Sequence, residues 1–395
     1  MTLVILKESC DNFYMFKDFE LDFTYDRKIS HRLAANDELF EGSRIKVRKN
    51  IILMGANASG KTTFGKLMCL ILNFILGRPL DDKYFNLAKI QYDKTRDAFF
   101  EIEFAVGNTA YLLRATFRDS NLQEEKVYAQ KIYKTYNIKN LRRKLRESKP
   151  VESFNADEKE MNIGFKSFAF SASKPNKFGE SVRKLGFWFM FSEPIVGSTT
   201  YNSEVDVEFL DKLLPKIDNS VKSVKRLQVE GEGAATNSYQ INFKNGENLF
   251  VINGDLKACA NRLSHGTFET IEFVFSLSAL MKGMASIFYI DERLSHMHSE
   301  LETYLAMQAF SQKPKDAQLF FTTHDTEFLD LNVPNTSYIF FKRKKDGFNE
   351  SLCVSYKFNK NDRSLRNYYD NDYFGTIPDY SNLDELFEHK AATDE

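Results

Sequence analysis

The chain has 395 residues, 37 of them Phe against a single Trp, and a formal net charge of −1. That length holds two or three packed units around a large core, and the wealth of apolar side chains excludes a disordered chain, while near-neutrality excludes steering to nucleic acid or membrane by an overall field. The four cysteines (Cys10, Cys69, Cys259, Cys353) form no C-x-x-C pair, which argues against a zinc site or a disulfide framework and for a reducing cytoplasm.

At the start, the apolar stretch in Met1–Glu8 is too short for a signal peptide. Residues 1–118 read as a β-rich lobe. Phe13–Phe23 is apolar and aromatic with acidic interruptions, as in paired strands. Ile51–Met54 is an apolar run of the kind a buried parallel strand needs. It leads into Gly55-Ala56-Asn57-Ala58-Ser59-Gly60-Lys61-Thr62, which matches G-x-x-x-x-G-K-T, and Thr63 follows. Phe64, Leu67, Met68, Ile71, Phe74 and Ile75 then recur at helical spacing. In such a strand–loop–helix the glycines let backbone N–H groups turn inward around a triphosphate, and the helix start adds positive potential. Lys61 is placed for the β- and γ-phosphates and the Thr62 hydroxyl for Mg²⁺. The apolar run Leu67–Leu76 is broken by Asn73 and is too short to span a bilayer, so no membrane partner is expected.

Phe99–Val106 and Tyr111–Ala115 around Gly107-Asn108 read as a hairpin. Composition then shifts, and residues 119–235 read as a charged, mostly helical insertion ending in a Gly231–Ala235 connector. Within it, Lys126–Lys149 interleaves basic residues with Tyr128, Tyr133 and Tyr136. Such a stretch can grip a nucleic-acid backbone or an acidic viral protein, but with Glu124, Glu125 and Glu147 nearby a solvated helix face accounts for it better.

Residues 236–345 read as a second lobe. Tyr239–Phe243 and Leu249–Ile252 flank Asn245-Gly246 as a hairpin. A helix over about 266–283, a strand over Ile287–Ile290, a helix over about 299–311 and a strand over Leu319–Thr322 follow. That β-α-β order implies a parallel sheet with ligands at the carboxyl ends of its strands. Residues 346–395 complete a hairpin around Asp346-Gly347, from Ser337–Lys342 and Ser351–Phe358, and end in an acidic tail.

The strand Ile287–Ile290 ends in Asp291-Glu292. Beside Thr62, Asp291 completes a Mg²⁺ shell, and Glu292 is placed to activate a water, which favours hydrolysis. Phe320–Thr323 ends at His324, in reach of a γ-phosphate; taken alone it is an ordinary strand-end histidine. What favours a role is a fourth element, Leu263-Ser264-His265-Gly266-Thr267, a second anion-binding helix start. One triphosphate does not need two such loops from one chain, so this one serves a nucleotide held by a second copy.

Phosphate loop, L-S-x-G-T, Asp-Glu strand and T-T-H resemble, in order and spacing, the ABC-type ATPases of the RecF/SMC-like branch. Within it the chain is similar to the AAA-family ATPases of the overcoming-lysogenization-defect and abortive-infection group. Ser295–Leu301 resembles that group's N-S-L-H-P-x-L segment, and Tyr373–Pro378 its R-Y-G-x-I-P ending. The resemblance spans roughly 1–118 and 236–380. It implies an α/β P-loop NTPase with an ABC-type ATPase head, in which a β-rich lobe and a parallel-sheet lobe flank a short, largely helical insertion. It further implies ATP and Mg²⁺ as ligands and head-to-tail sandwiching of two ATPs in a homodimer or higher homo-oligomer. Lys61 and Thr62 come from one copy and Ser264 and Gly266 from the other, with Glu292 as the water-activating acid and His324 as γ-phosphate sensor. Gln91 lies where this branch carries a glutamine loop, and equally reads as a surface residue.

The insertion holds no zinc hook and is too short for a long coiled coil, unlike the long-armed DNA-repair members. It is closer to sensor or scaffold ATPase subunits of bacterial anti-phage systems such as PARIS, which implies a separate effector nuclease or toxin and a viral protein or DNA as trigger. A DNA-repair or chromosome-maintenance ATPase that clamps DNA is the alternative. A GTPase is disfavoured, because Asn176-Lys177-Phe178-Gly179 lacks a guanine-reading aspartate.

Overall fold

In a computed structural model the described residues are 2–26, 28–76, 87–119, 121–158, 167, 186–191, 206–227, 238–252, 256, 261–294, 297–354 and 364–377. Two six-stranded sheets dominate, beside a two-stranded ribbon of β3 (Thr24–Tyr25) and β4 (Lys46–Val47). The first is antiparallel and built from β1 (Leu3–Asp11), β2 (Phe19–Asp22), β6 (Ala98–Val106), β7 (Thr109–Arg118), β8 (Asn121–Lys131) and β9 (Glu152–Asn155), in the order β2-β1-β6-β7-β8-β9. The second contains β5 (Asn50–Met54), β10 (Phe187–Met190), β14 (Ile287–Asp291), β15 (Gln318–Thr323), β16 (Tyr338–Arg343) and β17 (Asn349–Cys353), in the order β10-β14-β15-β5-β16-β17. From β10 to β16 its neighbours run parallel; only β17 turns back, against β16.

Strands β5, β14 and β15 are buried along their whole length, with apolar residues through their centres and polar ones only at their ends, as a sheet covered on both faces requires. Helix α1 (Lys61–Ile75) lies between the two sheets. Its Phe64, Met68, Ile71 and Phe74 join one continuous core with Ile5, Phe100, Phe117 and Tyr289. On the other face, α4 (His265–Met281) and α5 (Ser299–Gln312) pack over Phe288, Phe321 and Phe340. A smaller core joins α3 (Val207–Ile217) to a three-stranded sheet of β11 (Val221–Arg226), β12 (Tyr239–Phe243) and β13 (Asn248–Val251). Helix α2 (Ile138–Glu147) docks on the first sheet, and α6 (Leu365–Asp370) packs its Tyr369 on Phe340.

Most expected elements are present, but the first sheet runs past residue 118. Residues 121–131 are not part of a helical insertion: they pair with β7 through a full antiparallel hairpin, and β9 extends the sheet to Asn155. The reason is Glu125, a buried carboxylate bonded to the Ser167 hydroxyl, which occupies an inward position where alternation calls for an apolar residue. Phe187–Met190 is also a strand rather than a helix, the edge of the parallel sheet beside β14. In Phe13–Phe23 only Phe19–Asp22 is a strand, with Phe13 bridging Phe16. Gly231–Ala235, Ser295, His296 and Pro378 lie outside the described residues.

Candidate functional site

Strand register sets the geometry. Asp291 pairs with Thr322 and Thr323 with Met54, so β14, β15 and β5 end level with one another, under the start of α1. Between β5 and α1 the chain makes its phosphate loop. Gly55 has φ +152°, and a Cβ there would lie 2.2 Å from the Phe341 carbonyl oxygen. Gly60 has φ +104°, and its Cβ would lie 2.4 Å from Asn349 Nδ2. Only glycine fits either position. No side chain caps the start of α1, which leaves its first N–H groups for an anion.

Residues Asn57–Thr63 line a cavity of about 720 Å³, together with Glu292, Gln91, Arg343 and Asn349. Lys61 is buried, and its Nζ donates to the carbonyls of Gly55 (2.7 Å) and Ala56 (3.2 Å). The same Nζ lies 3.1 Å from Glu292 Oε1. Its carbonyl accepts from the Tyr289 hydroxyl at 2.7 Å, which fastens α1 to β14. Asp291 is fully buried. Its Oδ1 accepts from Thr322 Oγ1 at 2.7 Å, while Oδ2 has no hydrogen-bond partner among the described residues. Burial raises its pKa; the Thr322 and Thr62 hydroxyls pull it back, Glu292 adds to the rise and Lys61 opposes it.

Glu292 sits at φ +47°, held there by its N–H on Thr322 Oγ1 (3.1 Å). A non-glycine residue in the left-handed region is strained, and such strain concentrates at functional positions. His324 Nδ1 lies 3.6 Å from Glu292 Oε1, and the imidazole is half exposed. Next to it Glu302 is buried against Thr323; burial, with Asp325, Glu269 and Glu292 nearby, pushes its pKa up to about 7.

The structure therefore brings together Gly55, Ala56, Asn57, Ala58, Ser59, Gly60, Lys61, Thr62, Thr63, Asp291, Glu292 and His324. It does not bring Ser264, His265 or Gly266 to that cavity. Ser264 and His265 are exposed at the start of α4, where Ser264 Oγ caps the Thr267 N–H at 3.1 Å.

Of the other cavity residues, the sequence leaves Gln91 ambiguous and gives no sign of Arg343 or Asn349. Gln91 is buried rather than superficial, fixed by hydrogen bonds from its Nε2 to the Asp93 and Arg96 carbonyls. Arg343 donates to the Ala58 carbonyl at 3.0 Å. Asn349 is buried with its Oδ1 unpartnered among the described residues. Arg343 and Asn349 carry no motif; only the hairpin's place beside β5 reveals them.

The basic stretch is largely spoken for. Arg142 bonds Asp22 (2.7 Å) and Glu103 (2.6 Å), Lys126 bonds Glu124 (2.6 Å) and Arg143 bonds Glu147 (3.0 Å). Lys144 and Lys131 lie over the rings of Tyr136 and Tyr133. These charges pair with the protein's own acids and aromatic faces, Arg142 half-buried and Lys126 and Arg143 at the surface.

An uncapped helix start after a glycine-rich turn, level with an Asp-Glu strand and a strand-end histidine inside a parallel sheet, defines a P-loop nucleotide-binding fold. The chain belongs to the family described as "AAA domain, putative AbiEii toxin, Type IV TA system", which matches residues 51–330. No curated protein matches the sequence. Similar solved structures include the Pyrococcus furiosus Smc head with an extended coiled coil bound to the C-terminal domain of ScpA, at 12% identity, 90% of this chain, 98% of that chain and TM-score 0.47. The Thermotoga maritima SMC head domain is also 12% identical, over 88% and 98% of the two chains, at TM-score 0.39. The recombination mediator RecF with ATP is 12% identical over 89% and 99%, at TM-score 0.44. Among the described residues no helix is long and apolar enough to cross a membrane.

Proposed function

We propose that the protein binds and hydrolyses ATP at sites completed between two copies. The observation that carries this is the division of its parts: one cavity gathers Asn57–Thr63 and Glu292, with Asp291 buried next to Glu292 at the end of β14, while Ser264 and Gly266 stand outside it. Lys61 would leave the Gly55 and Ala56 carbonyls to meet the β- and γ-phosphates. Glu292, released from Lys61, would orient and deprotonate the attacking water, and His324 would hydrogen-bond the γ-phosphate. Ser264 and Gly266 of a second copy would close the phosphates from the other side.

Mg²⁺ fits this cavity, because a buried, unpartnered Asp291 oxygen beside the Thr62 hydroxyl is a hard-oxygen donor pair. Bound there, the cation would offset phosphate charge. The γ-phosphate would then hold two copies together, and its loss would release them, a switch suited to signalling.

We place this switch in bacterial anti-phage defence, as the sensor or regulatory subunit of a system like PARIS with a separate nuclease or toxin effector, in the cytoplasm. The family's description, which names a putative AbiEii toxin and a type IV TA system, supports that placement. The DNA-clamping alternative predicts turnover stimulated by DNA with a steep salt dependence.

The test of the shared site is complementation. Lys61→Ala and Ser264→Arg proteins, each inactive alone, are mixed, and about a quarter to a half of the sites regain both intact halves. No restored turnover from two folded, pairing variants would overturn the shared site.

A further inference from the structure

Behind the exposed start of α4 three side chains form a chain of oxygens that leads inward. Ser264 Oγ lies 2.6 Å from Thr267 Oγ1, and Thr267 Oγ1 donates to Asp218 Oδ2. Ser264 is exposed and Thr267 buried. Asp218 does not belong to α4. It closes the C-terminal end of α3, where its N–H donates to the Leu214 carbonyl at 2.8 Å and its carbonyl accepts from Val221 N–H at 3.1 Å. Its Oδ1 accepts from the Ser220 N–H (2.9 Å) and the Ser220 hydroxyl (2.6 Å). The carboxylate is held by one element and reaches the first turn of another.

The protons give this chain a direction. Burial raises the Asp218 pKa, but the Ser220 and Thr267 hydroxyls and the Ser220 N–H outweigh it and hold it below the ordinary 3.8. At neutral pH Asp218 is ionised and can only accept. The single hydroxyl proton of Thr267 therefore points at Asp218. A 2.6 Å contact between two hydroxyl oxygens needs a proton between them, and Thr267 has none left to give. That proton is the one on Ser264. Ser264 Oγ also accepts the Thr267 N–H at 3.1 Å. Both bonds turn the serine inward, and what it presents outward is a lone pair, which repels a phosphate oxygen.

We propose that Asp218 is a positioning residue: through Thr267 it latches the Ser264 proton inward, so that a second copy's triphosphate must turn that proton outward before the copies close. This rests on Ser264 meeting the nucleotide of a second copy, and adds a regulatory device to that contact. Opening the latch gives up one neutral hydrogen bond, a penalty on closure of about two- to tenfold.

Asp218→Asn reverses the chain. The Ser220 N–H still needs an acceptor, which keeps the amide oxygen in place and sets Nδ2, a donor, against Thr267. Thr267 then donates to Ser264, whose proton turns out. With ATP saturating and Glu292→Gln present to stop turnover, light scattering should give Asp218→Asn a dimer dissociation constant about two- to tenfold lower. Thr267→Val, which removes the relay, should shift it the same way, and Thr267→Ser should leave it unchanged. Once Ser264→Ala is added, Asp218→Asn should change nothing, whereas a merely structural aspartate would act with or without the serine. Unchanged or weaker dimerisation in either folded variant, or an equal change without the Ser264 hydroxyl, overturns the latch. If the Lys61→Ala and Ser264→Arg mixture regains no turnover, the shared site has failed and the latch with it. If turnover returns, the dimerisation constants judge the latch alone.

Discussion

Helices α1 and α4 both begin on a small-residue turn, and they are finished differently. At α1 the N-cap is Gly60, with no side chain to satisfy the first N–H groups, and walls converge on it from the end of β14, the β16–β17 hairpin and the segment 89–92. At α4 the N-cap is Ser264, whose own hydroxyl satisfies Thr267 N–H, while Thr267 in turn bonds Asp218. The first start is left chemically open and sterically enclosed. The second is locally satisfied and sterically open. A helix start becomes a binding site through what surrounds it, and only α1 is surrounded by its own chain.

The comparison breaks first if Lys61 is dispensable. Lys61→Ala removes the buried ammonium of the phosphate loop, and nucleotide binding should fall below detection by calorimetry. Retained micromolar affinity would mean that backbone N–H groups alone hold the ligand. Glu292→Gln comes next: it keeps size and hydrogen bonding but removes the base, so turnover should drop by about 10²–10³-fold with ATP binding intact. An ATP-bound dimer should accumulate by size-exclusion chromatography with light scattering. Wild-type hydrolysis by this variant would strip Glu292 of its assigned role.

A third, smaller effect concerns the core beneath α1. Glu8 is fully buried with neither carboxylate oxygen hydrogen-bonded among the described residues, and burial pushes its pKa up from 4.5 to about 8. The folded state holds the proton where the unfolded chain releases it. Stability therefore falls as pH rises from about 4.5 and levels off above about 8. Glu8→Gln has no such proton to lose. It should match wild type in urea melts at pH 4.5 and exceed it by a few kcal/mol at pH 8. Equal stabilities at both pH values would mean that Glu8 finds a partner or water in solution.

How much of this the chain announces depends on how local the signal is. Gly55–Thr62, Asp291-Glu292 and His324 are contiguous motifs at strand ends, and the register of β14, β15 and β5 brings them level because all three strands carry the same apolar pattern. The reach of the first sheet was not legible, because Glu125 breaks the alternation of β8 and its partner Ser167 lies 42 residues away. Gln91 was ambiguous for a related reason: its burial follows from hydrogen bonds to Asp93 and Arg96 carbonyls, which no side-chain pattern encodes. Arg142 looked like part of a basic surface because its partners Asp22 and Glu103 are distant in sequence and adjacent only across the folded sheet.

The finest test of the contrast is Ser264→Ala, because that serine has two separable duties. As a cap, its loss should cost about 1 kcal/mol, a melting shift of roughly 2 °C or less in a chain of this size, with or without nucleotide. As a ligand to a second copy's phosphates, its loss should leave ATP affinity of the single subunit untouched while reducing ATP-driven dimerisation and turnover. Ser264→Asp separates the two further. Aspartate caps a helix as well as serine does but sets a negative charge against the phosphates, so stability should hold while dimerisation fails. If Ser264→Asp dimerises on ATP as wild type does, the exposed start of α4 is a capped helix end and nothing more.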